Sequence, residues 1–166
     1  MASVLLQISG LVKHPLSLGW DELEQLPEAA RVADVSQIIP GRQGAGVSLD
    51  ALLERAEPLP PADFATLHAD RDDFHVSVPL ALLKGQGIVV YRLGEAPLGT
   101  DKGGPIRLLI RDPLACQTGE LDDCANVKYL SRIELGHGRG RDTRPTNESE
   151  HAALHEGAGP ASPVGP

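Results

Sequence analysis

Gly94 to Arg111, GEAPLGTDKGGPIRLLIR, and Val127 to Leu135, VKYLSRIEL, form the stretch on which the fold of this chain turns. Gly99, Gly103 and Gly104 allow a tight turn, and the apolar run Ile106 to Ile110 behind it reads as a strand. Arg107 and Lys128 therefore fall on two strand-like segments beside a glycine-rich turn. Basic side chains next to exposed backbone amides are the means of gripping an anionic, phosphate-bearing ligand.

Upstream, the elements are short. Val4 to Ser9 alternates as a strand, and Leu16, Leu18, Trp20, Leu23 and Leu26 suit one short helix starting near Ser17 and ended by Pro27. Arg31 to Ile39 reads as a strand broken by Pro40 and Gly41. Ser48 is positioned to cap a helix whose Leu49, Leu52, Leu53 and Ala56 share one face, and Pro58 forbids its continuation. Phe64 to His68 and Phe74 to Val78 form a predicted hairpin around Asp70 to Asp73, with His68 and His75 as half-buried structural residues. Pro79 opens a short helix through Leu83, and Ile88 to Tyr91 is a buried strand.

The pattern is α+β: short mixed strands with a few short helices rather than regular βαβ units. From Gly136 the apolar periodicity stops, so the expected domain is residues 3–136, followed by a disordered tail over 137–166. With 166 residues, one domain plus a tail is the default. A net charge of -8, with acidic residues scattered along the chain, disfavours nucleic acid or an anionic membrane as partner. No leader and no apolar run of about 20 residues is visible, which places the protein in the cytoplasm with no membrane span. Neither a P-loop, a dinucleotide fingerprint nor a nucleophile elbow is present.

Together with GVSLDALLERA at Gly46 to Ala56 and ISGLVKHPLSL at Ile8 to Leu18, the opening stretch resembles the molybdopterin-binding domain of sulfite oxidase-type oxidoreductases. The resemblance covers most of Val4 to Leu135. It implies the sulfite oxidase molybdopterin-domain fold and a molybdenum cofactor, with oxygen-atom or electron transfer at the metal. Arg107 and Lys128 match positions that the family keeps basic. Lys102, beside Gly103 and Gly104, sits where many relatives have a histidine, and Arg42 lies on the loop near the metal ligand. The alternative implied is a non-catalytic binding or interaction module that keeps the scaffold and binds no cofactor, or takes another anionic small molecule. Neither a substrate nor a redox partner is indicated.

One departure matters. The family's metal-binding cysteine lies about a dozen residues before the GVxL helix, and Arg31 to Ala45 contains none. Ser36 and Asp34 offer only harder oxygen donors there. Cys116 and Cys124, in an apparent insertion, read as free thiols, as a disulfide closing a loop, or as zinc ligands completed by Asp122 or Asp123. The same two cysteines are the rival source of a thiolate for the cofactor's metal. His151 and His155 have helical i, i+4 spacing but stand in the expected tail, where chance explains them.

Overall fold

The computed structural model describes residues 3–113 and 120–144. Two five-stranded sheets enclose one apolar core. The first contains β1 (Leu6–Gly10), β2 (Leu16–Leu18), β5 (Phe64–Ala69), β6 (Phe74–Pro79) and β10 (Arg132–Gly136), in the order β2-β1-β10-β5-β6. Its only parallel pair among the described strands is β1 with β10. The second contains β3 (Arg31–Val32), β4 (Ala45–Ser48), β7 (Gly87–Leu93), β8 (Ala96–Pro97) and β9 (Arg107–Ile110), in which β7 pairs with β4, β8 and β9. Helices α1 (Trp20–Glu24), α2 (Leu49–Ala56) and α3 (Leu80–Leu83) connect them.

Strand alternation divides each sheet into two chemistries. Leu6, Ile8, Leu67, Val76, Val78, Ile133 and Leu135 from the first sheet meet Val47, Val89, Tyr91, Leu108 and Ile110 from the second, with Leu49 and Leu52 of α2 in the same cluster. On the far side of the second sheet, Ile88, Val90, Leu98 and Leu109 pack against Val35, Ile38 and Ile39. The segment from Val32 to Gly44 therefore lies over that outer face.

The hairpin β5–β6, the buried strand β7, the short helix after Pro79 and the apolar face of α2 are as the sequence predicts. Other boundaries differ. No helix begins at Ser17: Leu16 to Leu18 pairs antiparallel with Leu6 to Ile8, and the helix waits for Trp20, where Gly19 N–H donates to Glu22 Oε1 at 2.7 Å. The expected strand Arg31 to Ile39 ends at Val32, because Asp34 Oδ1 accepts from both the amide and the hydroxyl of Ser36 and folds the chain into a 3-10 turn. Ser48 holds the N-cap position of α2 without a side-chain capping bond. Within Val127 to Leu135 the strand starts only at Arg132, after Tyr129 adopts a left-handed φ of 58°.

The chain is also held beyond Gly136, where the sequence reading closes the domain. Arg139 Nη1 and Arg144 Nη2 donate to the Ser77 carbonyl at 2.9 and 3.3 Å, and Thr143 N–H donates to the His75 carbonyl at 2.7 Å. Residues 137–144 form a strap along β6. It lacks apolar periodicity because polar side chains and backbone, not a hydrophobic face, hold it. The rest of the expected tail lies outside the described residues.

Candidate functional site

Arg107 stands on β9, alternating with the inward-facing Leu108, so that it shares the outer face of the second sheet with Leu109. Burial pulls its guanidinium below the ordinary arginine range, the charge of Arg42 adds to that, and Tyr129 opposes it. Arg107 Nη1 reaches the Lys102 carbonyl at 3.3 Å. Its Nε is buried and has no hydrogen-bond partner among the described residues. Arg107 thus keeps an unsatisfied donor and feels the charge of a second arginine, Arg42.

The turn that supports them is built by Gly99 to Gly104. Thr100 to Lys102 form a 3-10 turn, closed by Gly103 N–H on the Thr100 carbonyl at 3.1 Å and Gly104 N–H on the Gly99 carbonyl at 2.9 Å. These two amides serve the turn itself. What the glycines contribute is space: Gly103 has φ +89°, and a Cβ there would lie 2.9 Å from Lys128 Cγ. A Cβ on Gly104 would run into the Leu98 carbonyl. Lys128 is thereby drawn down against the turn that carries Lys102.

Tyr129 completes the wall. Its N–H donates to the Gly103 carbonyl at 2.8 Å and its hydroxyl to the Thr100 carbonyl at 2.9 Å, which fixes the strained backbone. The Arg71 guanidinium, from the β5–β6 turn, lies 4.2 Å above the ring centroid. Neither Arg71 nor Tyr129 was legible as part of this cluster: Arg71 belongs to a distant hairpin turn, and only adjacency to Lys128 could have pointed to Tyr129.

Ion pairing divides the basic residues, with Arg55, Lys84 and Arg111 also outside the described pairs. Arg31, Arg92, Arg132, Arg139, Arg141 and Arg144 all lie in ion pairs with Asp or Glu. Among the described ion pairs none involves Arg42, Arg71, Lys102, Arg107 or Lys128. On a chain of net charge -8, Lys102, Arg107 and Lys128 come together at a turn that also carries Asp101, and Arg71 reaches it through Tyr129.

Ser36 is joined to this region through its neighbours. Val35 packs with Leu98 and Leu109, and Val35 N–H bonds the Gly44 carbonyl at 2.9 Å. The Ser36 hydroxyl itself donates to Asp34 at 2.6 Å, and those bonds hold the Asp34 carboxyl below the usual carboxylate range. Cys124 N–H donates to Asp122 Oδ1 at 3.0 Å, whereas Cys116, His151 and His155 lie outside the described residues. Among the described residues no group of three or more His, Cys, Asp and Glu is arranged to hold a metal ion. No described helix is long and apolar enough to cross a membrane.

Residues 2–140 match the family described as "Oxidoreductase molybdopterin binding domain", and the chain belongs to that family. Its fold is also similar to the crystal structure of the sulfane dehydrogenase SoxCD from Paracoccus pantotrophus, with a TM-score of 0.59 and 21% sequence identity. The likeness covers 81% of this chain and 38% of that one, so this chain spans well under half of its length. No curated protein matches the chain.

Proposed function

We propose that Arg107, Arg42, Lys102 and Lys128 hold the phosphate-bearing end of a molybdopterin cofactor, with Arg71 and Tyr129 at the rim. The observation that carries this reading is the buried Nε of Arg107, without a hydrogen-bond partner among the described residues, on a guanidinium that also feels the charge of Arg42. Arg92 Nε is buried and unpartnered too, but its guanidinium is ion-paired with Glu24. A phosphate satisfies the Arg107 donor and relieves the repulsion together, and a guanidinium pair suits its geometry. Gly103 and Gly104 let the turn close against Lys128 and the Leu98 carbonyl, which holds Lys128 beside the turn that carries Lys102.

The donor set fits the anionic end better than the metal end. When bound, the cofactor would supply oxygen-atom or electron transfer at molybdenum. Arg31 to Ala45 offers it no thiolate, since Ser36 and Asp34 are oxygen donors already bonded to each other. The reading is therefore cofactor binding in an oxidoreductase-type domain, without the thiolate-tuned turnover of the sulfite oxidase type. A non-catalytic module on the same scaffold is the second reading, favoured by that same missing thiolate.

Expression in a host that makes the cofactor, followed by metal analysis and pterin fluorescence after oxidation, separates the two. Stoichiometric pterin in the wild-type protein and its loss in Arg107→Ala are expected. Wild-type protein purified without pterin would leave only the non-catalytic module.

A further inference from the structure

The outer face of the first sheet carries a chain of four titratable side chains that the candidate site does not use. His68 on β5 and His75 on β6 are cross-strand partners, 6% and 3% exposed. Their rings meet edge to face with centroids 4.9 Å apart, and the two Nδ1 atoms are 2.7 Å apart. Outward from the pair, His68 Nε2 lies 3.0 Å from Glu134 Oε1 and His75 Nε2 lies 2.8 Å from Asp73 Oδ1.

Proton counting fixes the state of this chain. A carboxylate only accepts, so each Nε2 carries a hydrogen and donates it outward. The Nδ1 pair at 2.7 Å needs one hydrogen between two nitrogens. Four ring nitrogens thus hold three protons, giving one imidazolium shared by two rings and balanced by Glu134 and Asp73. A fourth proton would set two N–H groups head-on at hydrogen-bond distance inside the protein, and the rings would have to part.

His75 is also where the strap attaches. Its N–H donates to Thr143 Oγ1 at 2.9 Å, and its carbonyl accepts from Thr143 N–H at 2.7 Å. Its carboxylate partner Asp73 forms an ion pair with Arg141 at 3.1 Å. Two residues further along β6, Gly140 N–H donates to Ser77 Oγ at 2.8 Å. We propose that the His68–His75 pair is a proton-operated latch: uptake of a fourth proton drives the rings apart, displaces His75 and releases residues 139–144 from β6. Release would uncover the unpaired N–H and C=O groups of an edge strand.

The surrounding charges agree with this direction. Burial holds His68 below the ordinary histidine range, Arg132 and His75 push the same way, and Glu134 opposes them. A histidine so depressed contributes stability that is full above its unfolded value near 6.5 and lost as pH falls toward the folded value. Asp70 is held low by Arg132 and Ser131, and Asp73 by His75 and Arg141, so both carboxylates stay ionised through this window. Asp142, whose burial is outweighed by Arg144, stays ionised as well. His137 lies 3.6 Å from Asp63 where the strap begins.

Hydrogen-exchange mass spectrometry on the full chain, corrected for intrinsic rates, reads the latch directly. Protection of residues 139–144 should fall at least tenfold between pH 7.5 and pH 5.5, while β1 and β10 hold theirs. His68→Gln keeps a hydrogen bond to His75 without a second titrating ring, so its strap should stay protected at pH 5.5. Unchanged wild-type protection, or an identical loss in His68→Gln, would overturn the proposal. Should that variant not fold, ring-nitrogen NMR on the wild type decides. One Nδ1 proton shared between the rings at pH 7.5 supports the latch, and two rings each protonated only at Nε2 refute it.

Discussion

Arg107 is the residue on which binding and folding pull against each other. Its Nε is buried without a partner, a condition that costs about 1–3 kcal/mol for an ordinary polar group and more for a charged one. An apolar side chain would be the more stable choice for folding, a cost that the proposed anion contact would offset. Arg107→Ala should weaken binding of a phosphate-bearing pterin by roughly 1.5–3 kcal/mol, and Lys128→Ala by a similar amount, measured by titration calorimetry. Ser36→Ala should leave affinity near wild type, because that hydroxyl is engaged with Asp34. Loss of affinity in Ser36→Ala equal to that of Arg107→Ala would move the site toward the 3-10 turn. Gly104 tests the scaffold separately: a Cβ there meets the Leu98 carbonyl, so Gly104→Ala should destabilise the fold by about 1–3 kcal/mol in chemical denaturation.

At the scale of elements, the strap of residues 137–144 changes where the domain ends. Arg144 is 11% exposed in its side chain and ion-paired with both Asp142 and Asp122, and breaking such a buried set costs about 3–5 kcal/mol. Ending the chain after Gly136 should therefore lower Tm by roughly 10 °C relative to ending it after Arg144. Equal melting by circular dichroism would show that the strap adds nothing to the fold. The sequence reveals elements held by apolar periodicity, such as the buried face of α2 or the alternation of β5 and β6. It hides those held by hydrogen bonds from scattered polar residues, which is how Thr143 and Arg144 pass for tail. It also misleads where one side chain overrides propensity. Asp34 capturing Ser36 ends a strand that Val32, Val35, Ile38 and Ile39 would otherwise suggest, and the same residues instead cover Leu98 and Leu109. Arg107 and Lys128 were legible because both stand on strand-like segments that follow the glycine turn, while Arg71 reaches the site only through the tertiary fold.

For the whole molecule, the distribution of charge is more telling than its sum. An acidic chain of net charge -8 repels anions at long range, yet brings Lys102, Arg107, Lys128 and Arg71, all outside the described ion pairs, to one turn, while Arg31, Arg92, Arg132, Arg139, Arg141 and Arg144 are spent on Asp and Glu. Local attraction must then overcome a repulsive far field, so binding should depend on salt in two opposed ways. Salt screens the distant carboxylates over a Debye length of about 8–10 Å near physiological strength, and it also weakens the contacts made by exposed Lys102. The half-buried Arg107 contact is screened less. Inorganic pyrophosphate should accordingly stabilise the protein, with a gain approaching about 2.7 kcal/mol at a hundredfold excess over Kd. The rise in Tm should exceed that given by chloride at the same ionic strength and should shrink in Arg42→Ala and Arg107→Ala. Equal stabilisation by chloride would reduce the cluster to general screening. A pyrophosphate effect that survives both substitutions would place the anion elsewhere, and would remove the ground for reading the second sheet's outer face as a cofactor site.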